Sequence, residues 1–152
     1  WNKLINLAST GTARPNIKST QDKEIDGTKF KVRYKYAPQT AGENSREFCK
    51  AMVKANKIYR KEDIVAMENM VLNAGFGAGG TDTYSIWEHK GGARCSHKWQ
   101  RLTFASDKNV DVKSPLAPKI STNKAESKGF RVRNEKNVSM KPKDTPTKGF
   151  VK

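Results

Sequence analysis

Thr28-Lys29-Phe30-Lys31-Val32-Arg33-Tyr34-Lys35-Tyr36-Ala37 alternates apolar and positively charged side chains from Lys29 to Tyr36. That is the period of two expected of a strand with one dry and one wet face. Phe30, Val32, Tyr34 and Tyr36 are predicted to face a core. Lys29, Lys31, Arg33 and Lys35 are predicted to form an outward row of four positive charges. Tyrosines and cations fall on opposite faces, so this strand is not a base-stacking platform for single-stranded nucleic acid. Its basic face is instead a solvated surface, or one that contacts phosphate or acidic protein.

Upstream, residues 1–28 mix Ser, Thr, Asn and Gly with few large apolar residues and no sustained period, which predicts an extended leader. Trp1, Leu4, Ile5 and Leu7 could dock locally. The first residue is Trp1 rather than a methionine, which fits a processing product or an incomplete chain.

Downstream of a connection at Pro38–Glu43, Asn44-Ser45-Arg46-Glu47 has the pattern of a helix N-terminus, and the helix is expected to run to about Lys57. Phe48, Cys49, Met52, Val53 and Asn56 share one face of it, so Cys49 points inward. A second helix is expected from Arg60 to about Asn73 or Gly75, with Glu62 and Asp63 in the first turn and Ile64, Met67, Val71 and Leu72 as the buried stripe. Gly75 to Asp82, GFGAGGTD, reads as a tight loop. It lacks the Lys-Ser/Thr of a phosphate-binding loop and follows a helix rather than a strand. Tyr84, Ile86 and Trp87 form a short apolar element, and Trp99, Leu102 and Phe104 lie on a last strand. The expected core includes Met52, Val53, Ile64, Met67, Trp87, Trp99 and Phe104.

From Ser106 onward there are five acidic residues against twelve Lys and Arg, with Pro115, Pro118, Pro142 and Pro146 and only scattered hydrophobes. Residues 106–152 therefore read as a basic, Pro-containing extended tail. Within it, 122–129 could form a helical turn or two and 130–132 a short strand. The fold class predicted is α+β: a small single domain over 29–105 between an extended leader and a long basic C-terminal arm.

The whole chain of 152 residues carries a formal charge of +15, enough to draw it towards nucleic acid or acidic surfaces. Lys128, Arg131 and Arg133 in the tail join Lys29, Lys31, Arg33 and Lys35 as the expected contacts to nucleic acid or acidic partners. No apolar run approaches the roughly 18 residues of a membrane span, so a membrane partner is not expected. Cys49 and Cys95 are too few to staple a chain of this size, and no secretory signal is visible, so a reducing compartment is the default.

The same two cysteines with His97 are the most chemically suggestive set, because thiolate and imidazole are favoured zinc ligands, and His89 could supply a fourth. Two other readings remain open: buried thiols beside a hydrogen-bonded histidine, or a Cys49–Cys95 disulfide. A Cys/His nucleophile would need an orienting Asn or Asp and an oxyanion hole, and neither has a motif here.

The segments FKVRYKYAP, SREFCKAMVKANKIYRKEDI, GFGAGGTDTYSIWEHKGGARCSHKWQR and the tail DVKSPLAPKISTNKAESKGFRVRNEKNVSMKPKDTPTKGF occur in an order that resembles a known group. It is the C-terminal region of virion proteins from phages of Bacteroidota hosts, including crAss-like phages, that are classed as XkdF-like phage serine proteases. The resemblance covers roughly residues 29–150 and is most specific from Tyr84 to Arg101. More distantly, Ser45-Arg46-Glu47-Phe48-Cys49 and Cys95-Ser96-His97 resemble the minor head family typified by protein F of phage Mu, without the His-Pro that usually precedes the second cysteine.

The resemblance implies a head or portal-vertex component, assembled in the host cytoplasm and resident in the virion. Its partners would be capsid, portal or neck proteins and packaged DNA. Protease activity would belong to a separate N-terminal domain, so no enzyme activity is expected of this chain. As a processing product it would be the piece left in the particle after cleavage, an expectation that intact precursor in mature particles would refute. The alternative from another class is a nucleic-acid-binding protein acting by phosphate neutralisation alone.

Overall fold

A computed structural model describes residues 13–132 and 137–151. Trp1, Leu4, Ile5, Leu7 and Arg133 lie outside the described residues. The fold is a mixed α/β domain built on a five-stranded antiparallel sheet, with four α-helices among the described residues. We label the strands β1 (Lys23–Ile25), β2 (Thr28–Ala37), β3 (Ile58–Tyr59), β4 (Lys98–Ser106) and β5 (Lys119–Ile120). The helices are α1 (Glu47–Ala55), α2 (Lys61–Ala66), α3 (Ile86–His89) and α4 (Thr122–Ser127).

The alternating stretch is the central strand. β2 pairs with β4 from Lys29 opposite Ser106 to Ala37 opposite Lys98. Its other edge is shared end to end by β1, which pairs opposite Thr28–Phe30, and β3, which pairs opposite Tyr34 and Lys35. β5 closes the far side by pairing Ile120 with Thr103 and Lys119 with Phe104.

Register decides which residues meet. Tyr36 lies opposite Trp99, and Phe30 opposite Ala105. Phe30, Val32, Tyr34, Tyr36 and Trp99 thus line one face, and α1 and α3 close over it. Aromatic edges lock that core: Tyr36 meets Phe48 at 5.9 Å and Trp99 at 5.1 Å, and Tyr34 meets Trp87 at 4.8 Å. Trp99 Nε1 donates to the Ile86 carbonyl at 3.2 Å, tying α3 to β4. Met52, Ile64, Met67, Trp87, Trp99 and Phe104 are buried as expected, while Val53 packs at the core's edge.

Phe104 is five positions from Trp99 and so falls on the opposite face. It is fully buried there, as is Arg33, which was expected in the outward charged row. The reason is that the stretch before β1 covers this face. The Arg33 guanidinium donates to Asp22 and to the carbonyls of Pro15 and Ile17. Asn16 bridges onward, donating to Asp111 Oδ1 and accepting from the Val112 amide, and Val112 is itself buried.

The edges of the sheet therefore do not fall at 28 and 105. β1 lies before residue 28 and β4 runs to Ser106. The described tail residues also reach the core: Phe130 stacks on Phe30 at 4.7 Å, and Ala125 and Val138 are buried. Residues 130–132 do not form the short strand expected of them.

The helix limits differ too. α1 begins at Glu47 with Arg46 as its cap, and ends at Asn56, whose left-handed backbone stops it before Lys57. α2 stops at Ala66 and tightens into a 3-10 turn at Met67–Asn69 instead of continuing to Asn73. Its start is fixed by a reciprocal cap in which Asp63 accepts from the Arg60 amide. Among the described residues no helix is long and apolar enough to cross a membrane.

Candidate functional site

Four segments converge on the two cysteines. α1 carries Cys49, the turn after α3 carries Cys95, the entry to β4 carries His97, and β2 delivers Tyr36 from beneath. The Sγ atoms of Cys49 and Cys95 are 4.0 Å apart, and both cysteines are free thiols. One atom from each of Cys49, Cys95 and His97 lies within 4.8 Å of the others, and all three residues are buried.

Each partner is held from outside the set. Tyr36 Oη sits 3.3 Å from Cys49 Sγ and 3.6 Å from Cys95 Sγ. The His97 amide donates to Cys95 Sγ at 3.3 Å, the short-range bond that a Cys-x-His spacing permits. The His97 ring stacks on Tyr36 with centroids 4.8 Å apart, and its Nε2 lies 3.0 Å from the Thr40 carbonyl. A carbonyl can only accept, so Nε2 is the donor, and in the tautomer that leaves Nδ1 unprotonated Nδ1 has a lone pair to offer.

Gly91 is the floor of this cluster. A Cβ there would come within 2.7 Å of Cys49 Sγ and 3.0 Å of Cys95 Sγ. The Gly91 carbonyl accepts from Arg46 Nη1 at 2.9 Å and from Asn73 Nδ2 at 2.8 Å. Tyr84 Oη completes the turn by donating to the Lys90 carbonyl. From the tail, the Lys143 amide donates to the Cys95 carbonyl at 3.0 Å.

The pair is asymmetric towards protons. The hydrogen bond from the Cys49 thiol lowers the Cys95 pKa, helped by the bonds from His97 and Tyr36. That same bond to Cys95, with burial, raises Cys49. A cleft of about 500 Å³ opens onto them, lined also by Glu43, Asn44, Ser45, Arg46 and Arg94.

His89 does not join the cluster. It sits at the end of α3 beside Glu88, at 3.7 Å, and Tyr84, at 6.4 Å between ring centroids. The chain leaves α3 at Lys90, the next residue, whose φ is 49°. Among the described residues no carboxylate or Asn side chain hydrogen-bonds the His97 ring, which engages a backbone carbonyl instead.

The expected basic contacts separate. Lys29, Lys31 and Lys35 remain partly exposed on one face, and Lys128 and Arg131 are exposed just after α4, but Arg33 is sealed inside. Lys29 and Lys31 border a groove of about 760 Å³ that also contains Asp22, Glu24 and Asp111, so its charge is mixed.

Tyr36, Gly91, Arg46 and Thr40 were not singled out from the sequence as site residues. A Gly-Gly pair four residues before Cys95 was the one local sign of a close approach. Comparison of the chain with protein-family models, with curated proteins and with solved structures finds no match to any of them.

Proposed function

We propose that this chain is a structural component of a tailed-phage virion, associated with the head or portal vertex, and not itself an enzyme. The observation that carries this reading is the use made of the stretch Tyr84–Arg101, the part most specific in its resemblance to phage virion proteins. Trp87, Lys90 and Trp99 within it are buried, and Lys90 and Trp99 direct their hydrogen bonds to backbone carbonyls of the fold. Cys95 and His97 do line a cleft, but the His97 ring is oriented by the Thr40 carbonyl and not by the carboxylate or amide side chain that a nucleophile–base–orienter set uses.

The extended segments before β1 and after β4 support assembly through many shallow contacts. They clothe their own sheet, yet Ile17, Leu116 and Phe150 in them remain exposed, Leu116 by 90%. Neighbouring capsid, portal or neck proteins are the partners such arms would meet, and the partly exposed lysines of β2 and the exposed ones of the α4 region could face packaged DNA. Mass spectrometry of purified virions tests this: recovery at constant stoichiometry is expected, and absence from particles sinks the assignment.

A second reading, phosphate neutralisation without sequence preference, draws on Lys124, Lys128 and Arg131 clustering at α4. It requires that the isolated chain bind naked duplex DNA with the logarithm of its affinity falling linearly in log salt. Weak, salt-independent association would eliminate it.

A further inference from the structure

We propose that Cys49, Cys95 and His97 bind one zinc ion through both sulfurs and His97 Nδ1, with the fourth position reached from the cleft beside Arg46 and Arg94. The spacing fits. Zinc–sulfur bonds of about 2.3 Å in a tetrahedron place two thiolates roughly 3.8 Å apart, and the sulfurs here are already 4.0 Å apart. The histidine is oriented in the way zinc ligands are. A ligating imidazole characteristically donates its other N–H to a carbonyl or carboxylate, which fixes tautomer and ring. His97 does this through Nε2 to Thr40, and its ring is clamped flat on Tyr36.

The surroundings also suit sulfur that carries negative charge. The His97 amide points at Cys95 Sγ, and Tyr36 Oη reaches both sulfurs. Gly91 admits the pair only because it has no Cβ. Cys49 from α1 and the pair Cys95 and His97 from the stretch that leads into β4 would let one ion tie α1 to that stretch, and the Lys143 amide on the Cys95 carbonyl joins the tail to it. Three protein ligands leave one position, and the cleft they line gives water or a residue of a neighbouring virion protein access to it.

The test uses the full chain, purified reduced and without chelator, for metal content and for cobalt substitution. One equivalent of zinc per chain is expected, along with a thiolate-to-cobalt charge-transfer band and the visible bands of tetrahedral cobalt. Cys49→Ser and Cys95→Ser should each lose the charge-transfer intensity or fail to bind, whereas His89→Gln should retain both metal and spectrum. Folded, reduced wild-type protein that shows no cobalt–thiolate band at excess Co²⁺ would overturn the proposal without recourse to any variant. So would an unchanged spectrum in Cys49→Ser.

Discussion

Arg33 and Asp22 form an ion pair on the face of the sheet opposite the main core, with Nη1 2.6 Å from Oδ1 and the arginine side chain fully buried. Its second nitrogen reaches Asp22 Oδ2 at 3.0 Å, so the contact is bidentate. It joins the centre of β2 to a segment that composition marks as a leader. Breaking a buried pair by removing one partner typically costs about 3–5 kcal/mol, because a charge is left without compensation. Asp22→Ala should therefore lower unfolding stability by about that much in urea titration. A loss under about 1 kcal/mol, the range of exposed pairs, would mean this segment is not docked.

Phe130 makes the corresponding statement for the tail. Its ring lies flat on Phe30, and it is buried. Phe130→Ala should cost about 3–5 kcal/mol, as for other large core truncations. A free arm would tolerate the change, and the midpoint of denaturation would then not move.

Gly91 is constrained by space rather than by backbone angle. Gly91→Ala drives a methyl group against two sulfurs, and overpacking of this kind costs about 1–3 kcal/mol. The same substitution should separate Cys49 from Cys95 and speed the reaction of the thiols with a disulfide reagent. Unchanged thiol reactivity together with unchanged stability would show that the turn can simply shift.

Lys90 gives a pH signature. Burial lowers its pKa from 10.5 to about 8, and its ammonium donates to the carbonyls of Glu88 and Asn137. A lysine with a depressed folded pKa binds fewer protons in the native than in the unfolded state between the two values. Stability should thus rise with pH from about 8 to about 10.5, by on the order of 3 kcal/mol at most. Denaturation at a series of pH values should show this rise in the wild type and its loss in Lys90→Met. An identical slope in the variant would assign the effect to other groups.

The alternation in β2, the inward side of α1, the glycine loop and the final strand were all legible in the sequence. Each follows from a local period or from the conformational preference of a few adjacent residues. Cys49, Cys95 and His97 were legible as a set by chemistry alone. Their convergence was not, because it depends on the β2–β4 register that brings Tyr36 beside Trp99 and on the Gly91 turn that packs against both sulfurs.

The sequence by itself determined that this is a basic α+β chain with a strand of one apolar face, since side-chain parity and charge are properties of the chain read residue by residue. Tertiary structure alone decided that Arg33 is interior, that His89 stands apart from the cysteines, and that Phe130 and Asp22 belong to the packed domain. Those outcomes rest on which distant segment covers each face of the sheet. Low local hydrophobicity marks a segment as unable to form a core alone, but it does not prevent it from completing one.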